Sequence, residues 1–124
     1  IASIGDGKRK KPKFKTKEVY TMGIYVMLTK ISPYAVKNLE KLKEIEQHAE
    51  KLIEENCPNV KWLMNLVVFG PYDYLDIFEA PSDEEAAKVA MIIRSFGHAT
   101  TETWPAIQWK DFKNILGSIK VDYS

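Results

Sequence analysis

The amino-acid sequence predicts an α+β domain on a four-stranded antiparallel sheet, in the ferredoxin-like order strand, helix, strand, strand, helix, strand. Three observations carry this. Short runs rich in β-branched and aromatic side chains alternate with longer runs whose apolar residues recur at three- to four-residue steps. The turn Gly70-Pro71-Tyr72-Asp73 separates two strand-like runs as a hairpin connection would. Ser82 and Glu85 frame a capping box, which opens the second helical run.

Residues 1–21 carry little apolar periodicity and a dense charge run, the pattern of a solvated or partner-bound arm. Gly23 to Lys30 is apolar on both faces, as expected of an interior strand covered twice. Ser32 and Pro33 then supply an N-cap and a first-turn proline. One helix is expected from there to about Asn56, with Ala35, Leu39, Leu42, Ile45, Ala49, Leu52 and Ile53 turned inward; Pro58 bars its continuation. The second strand should run from Val60 to Phe69, with Trp62, Met64, Leu66 and Val68 on one face and Leu63, Asn65, Val67 and Phe69 on the other. Tyr74 to Glu79 forms the third. A helix from Asp83 to Phe96 turns Ala86, Val89, Ala90, Ile93 and Phe96 inward, and Gly97 closes it as a left-handed residue. The fourth strand spans Thr100 to Trp109, with Pro105 marking an edge or a bulge. Trp109, Phe112, Ile115, Leu116 and Ile119 suggest a short C-terminal helix.

Both helices fall on one face of such a sheet, yet both faces are rich in large apolar groups. The economical cover for the second face is another copy of the sheet, so the sequence predicts a dimeric α+β barrel and a homodimer or higher homo-oligomer. The organisation expected is a basic arm (1–21), one α+β domain (22–110) and a C-terminal helical extension (111–124). With 124 residues and 45% apolar content, a single core suffices.

Charge is distributed unevenly. Residues 1–17 hold Lys8, Arg9, Lys10, Lys11, Lys13, Lys15 and Lys17 against the single acid Asp6, a balance of +6, while the whole chain carries only +1. The arm alone is therefore suited to an acidic partner or a phosphate backbone, and these seven residues are the candidate partner-binding set. Nucleic acid ranks below a larger protein complex as the partner, because the body has no matching basic pattern or aromatic RNA-reading motif. One cysteine, Cys57, excludes an internal disulfide and a multi-cysteine zinc site. No apolar run approaches the ~20 residues needed to span a bilayer, so no membrane partner is expected and the cytoplasm is the expected compartment.

The segments Gly70-Pro71-Tyr72-Asp73, Glu79-Ala80-Pro81-Ser82-Asp83-Glu84-Glu85 and Gly97-His98-Ala99-Thr100-Thr101-Glu102-Thr103 together resemble the signature of the GYD family of small domains. The resemblance covers about Tyr25 to Trp109. It implies a ferredoxin-like dimeric α+β barrel and names no reaction.

Candidate chemistry is sparse. Tyr72 and Asp73 at the mouth of a sheet cavity can bind a polar group or move a proton; equally, Asp73 can serve the loop's own amides. His98 is titratable where a loop meets the sheet, and a lone histidine there also serves as a hydrogen-bonded loop residue. His48, among charged helix neighbours, reads as exposed. Tyr25, Thr29, Thr101 and Thr103 can line a cavity with hydroxyls, and threonine also suits strands for steric reasons alone. Trp62, Tyr74 and Asp76 either share that space or belong to the core. The sequence has no glycine-rich phosphate loop, metal-ligand spacing or nucleophile elbow, so no cofactor or metal is expected. Two readings follow: an oligomeric binding or accessory protein docking on partner subunits, or a cofactor-free small-molecule enzyme or ligand sensor with a pocket near Tyr72, Asp73 and His98.

Overall fold

A computed structural model describes residues 22–96 and 98–122. The expected arm, its seven basic residues and Gly97 lie outside the described residues. The elements are β1 (Gly23–Ile31), α1 (Pro33–Val36), α2 (Leu39–Asn56), β2 (Lys61–Val67), β3 (Tyr74–Ala80), α3 (Asp83–Phe96), β4 (Ala99–Ala106) and α4 (Trp109–Ser118). The sheet order is β2-β3-β1-β4 with every pairing antiparallel. This is the ferredoxin-like arrangement: β1 and β3 are central, and each βαβ half crosses over through a helix.

The core forms where α2 and α3 meet one face of that sheet. Tyr25 and Met27 of β1, Phe78 and Ala80 of β3, Ile53 of α2, and Ala86, Val89 and Ile93 of α3 are buried together. Tyr25 stacks on Phe78 at 5.6 Å between ring centroids, and Trp62 packs against Phe78 at 5.1 Å. Cys57 and Val60, which connect α2 to β2, are fully enclosed in the same cluster. Cys57 is thus a core residue.

Four local expectations need correction. The first helix breaks at Lys37–Asn38: Ser32 caps α1 through its Oγ at 3.3 Å from the Ala35 amide, and Asn38 caps α2 through its Oδ1 at 3.1 Å from the Lys41 amide. Asn38 competes with the helix for backbone hydrogen bonds, and Leu39, now in the first turn of α2, is 75% exposed instead of inward. Second, the register of β2 against β3 shifts between Trp62 and Met64. This irregularity divides the predicted face: Trp62 turns to the helices, Met64 and Leu66 turn away from them, and Asn65 joins the helix side. Third, β2 ends at Val67; the Val68 amide donates to the Asp73 carbonyl at 2.9 Å, and Phe69 is 99% exposed at the loop. Fourth, Phe96 at the end of α3 is exposed rather than turned inward, with its ring against His48. His98, in the described part of the α3–β4 link, takes a positive φ of 49°.

Other signals hold. Ser82 caps α3, its Oγ 3.2 Å from the Glu85 amide. Pro105 sits on β4, an edge strand, where a missing N–H costs least.

Opposite the helices the sheet presents Ile24, Val26 and Leu28 from β1 and Leu75 and Ile77 from β3. The outer strands add Met64 and Leu66 from β2 and Trp104 from β4. Met64, Leu66 and Trp104 are about half exposed. Beyond the sheet, α4 buries none of its residues, and Trp109, Ile115 and Leu116 are exposed. Among the described residues no helix is long and apolar enough to cross a membrane.

Candidate functional site

The Gly70–Asp73 loop is positioned by Asp73. Its amide donates to the Thr29 carbonyl at 2.8 Å, and its Oδ2 accepts from the Ile31 amide at 2.8 Å. Asp73 thus ties the β2–β3 connection to the end of β1. Tyr72 stands on the outside of this loop, where its hydroxyl donates to Glu102 of β4. That hydrogen bond raises the Tyr72 pKa. Gly70 has no positive φ, and a Cβ there would meet nothing within 4 Å. The turn therefore does not depend on glycine at this position.

His98 serves through its backbone. Its carbonyl accepts from the Ser32 amide at 2.9 Å, which pins the start of α1 to the start of β4. The imidazole is exposed and lies against Tyr34, ring centroids 5.6 Å apart.

Three hollows account for most of the remaining candidates. A small one, about 20 Å³, lies under α2 and is lined by Thr29, Glu46, Tyr74 and apolar neighbours. It has room for a single water molecule. Thr29 is 1% exposed and its Oγ1 has no hydrogen-bond partner among the described residues. Tyr74 donates to Glu46, and burial followed by that bond pushes its pKa up. Next to it, Asp76 is wholly buried and its Oδ1 accepts from Asn65 Nδ2 at 2.7 Å; burial raises its pKa. A second hollow, about 330 Å³, is an open depression lined by Lys30, Pro71, Tyr72, Thr100, Thr101 and Glu102. The third, about 370 Å³, is a groove between α3 and β4 that contains Tyr25, Thr101 and Thr103 together with Asp83 and Arg94. Tyr25 donates to Asp83 Oδ1 at 2.5 Å, and burial together with that carboxylate pushes the Tyr25 pKa up to about 12.

The candidate residues are thus distributed. Tyr25, Thr101 and Thr103 converge on the α3–β4 groove, and Tyr72 and Thr101 share the open depression. Thr29 belongs to the water-sized hollow, Asp73 to the backbone, and His98 lines none of the three. Sequence reasoning assigns Asp83 only to the acidic start of α3 and passes over Arg94, although Asp83, Ala87, Ala90 and Arg94 recur at helical spacing as a small-residue face bracketed by charges. Among the described residues no group of three or more His, Cys, Asp or Glu side chains could hold a metal ion.

The profile of the GYD domain matches residues 25–116, a span that runs from β1 into α4. A Thermus thermophilus protein described as glutamine synthetase and cystathionine beta-lyase binding protein is 32% identical over 76 residues, covering 61% of this chain and 75% of that protein. No solved structure matches the chain. Since the GYD profile spans more than half of the sequence, the chain belongs to the GYD domain family.

Proposed function

We propose that this protein is an accessory binding protein that forms a homodimer, or a higher homo-oligomer, and docks on larger partner enzymes without carrying out a reaction of its own. The observation that carries the proposal is the apolar sheet face opposite the helices, from Met64 and Leu66 through Ile77 and Val26 to Trp104. A contiguous apolar surface of this kind marks an interface, and its symmetric counterpart on a second copy closes a dimeric α+β barrel. The exposed apolar side chains of α4 offer a further surface for a different chain.

The T. thermophilus relative supports protein partners, since its description names two enzymes that it binds. Glutamine synthetase and cystathionine beta-lyase are accordingly the first partners to test. The basic arm, Lys8 to Lys17, supplies the charged part of that docking, with acidic surface on the partner as its complement. The alternative, a cofactor-free enzyme or sensor centred on Tyr72, Asp73 and His98, has less support: Asp73 is engaged by backbone and none of the three hollows is lined by all three residues.

Sedimentation velocity of the full chain, alone and mixed with each purified enzyme, tests the proposal. A self-associated species that co-sediments with at least one enzyme is the expected result. A monomer that binds neither would overturn it.

A further inference from the structure

We propose that the groove between α3 and β4 binds a small carboxylate with a slender apolar body. The site lies apart from the open sheet face and goes beyond the docking role. Its volume of about 370 Å³ falls within the ~300–1,000 Å³ typical of small-ligand sites. The walls are Ala86, Ala90, Met91 and Pro105, which favour an apolar body over a heavily hydrated one.

The polar groups of the groove decide the ligand's charge. The chain reverses between α3 and β4, so Arg94 faces the start of β4 at Thr101, while Asp83 lies toward its end at Pro105. Asp83 is already engaged by the Tyr25 hydroxyl, which remains protonated and able to donate at neutral pH. Arg94 makes no ion pair among the described residues. Asp83 keeps its own charge at the Pro105 end; at the Thr101 end the charged lining group is Arg94, and a planar guanidinium takes a carboxylate through two parallel N–H donors. Thr103 adds a second unmatched group: its Oγ1 is buried beside the groove and has no hydrogen-bond partner among the described residues. A ligand oxygen there would satisfy a hydroxyl that folding has removed from water. One effect opposes the anion, because Arg94 is in the last turn of α3, where the helix dipole is negative. The affinity is consequently modest.

The full-length protein, labelled with ¹⁵N, can be titrated with sodium benzoate at constant ionic strength, with benzyl alcohol and benzylamine as size-matched controls. Benzoate should produce saturable shifts at the amides of Ala90, Arg94, Thr101 and Thr103, with both controls at least tenfold weaker. Arg94→Gln should weaken benzoate by about tenfold or more, the usual cost of losing one charge-assisted bond. Thr103→Val, which keeps shape and removes the hydroxyl, should weaken it less while leaving the melting curve intact. Non-saturating shifts, equal binding of the alcohol or the amine, or wild-type affinity in both variants would overturn the proposal.

Discussion

Asp73 serves the fold through one hydrogen bond that a single substitution removes. Its carboxylate satisfies the Ile31 amide, and Asp73→Ala removes that acceptor, so unfolding in urea should show a loss of about 1–3 kcal/mol. Asp73→Asn retains a side-chain oxygen and should lose less. By contrast, Gly70→Ala should leave the urea midpoint unchanged, because the added methyl meets open space at an ordinary φ. Asp76 gives a pH signature. Its folded pKa lies above its unfolded value, so the native state binds the proton more tightly and protonation stabilises the fold. The contribution of Asp76 to stability is greatest below the ordinary aspartate range, near pH 4, and is lost as pH rises through the raised value. Asp76→Asn should abolish this declining limb; urea unfolding at pH 4 and pH 7 would show a smaller difference between the two pH values than in the wild type. The Tyr72-Asp73 pair illustrates what sequence can reveal about a residue. Its special character was legible, but which partner each side chain takes depends on β1 and β4, far away in the chain.

At the level of the element, caps were legible and continuity was not. Ser32 and Ser82 both cap helices as their sequence context indicates. The interruption before α2 was hidden because Leu39 continues the apolar period across it, and periodicity cannot distinguish one long helix from two that share a phase. Asn38→Ala should destabilise α2 by about 1 kcal/mol through loss of its cap, measurable as a lower melting temperature. The register shift in β2 was equally invisible. The nearly continuous apolar run from Trp62 to Val67 gives no mark of it in sequence; only pairing with β3 reveals that Trp62 belongs with Phe78 and Met64 with Ile77. The same limit applies to the α3–β4 groove, whose charged ends come from Asp83 and Arg94, eleven positions apart along one helix.

The strand order and the position of both long helices were legible for the whole molecule because alternating strand and helix patterns admit few right-handed, unknotted topologies. The second apolar sheet face was legible too. The proposed dimer covers it with a second copy, and the sharpest single test is a charge placed at its centre. Ile77→Glu should shift the full-length protein toward monomer in sedimentation velocity while circular dichroism retains the folded signature. An unchanged association state would place the self-association surface elsewhere, with α4 the next region to examine.

The sheet order also sets a timetable for synthesis. The central strand β1 lies near the beginning of the described chain, yet it pairs with β3, beginning at Tyr74, and with β4, beginning at Ala99. While the ribosome extends the chain from the N-terminus, β1 has no native neighbour until β3 has emerged, and one of its edges remains open until β4 follows. Loop closure across such separations makes long-range pairing slow. An apolar strand with both edges unpaired is a target for nascent-chain chaperones, and a polypeptide halted before Ala99 would keep one edge of β1 exposed to other chains.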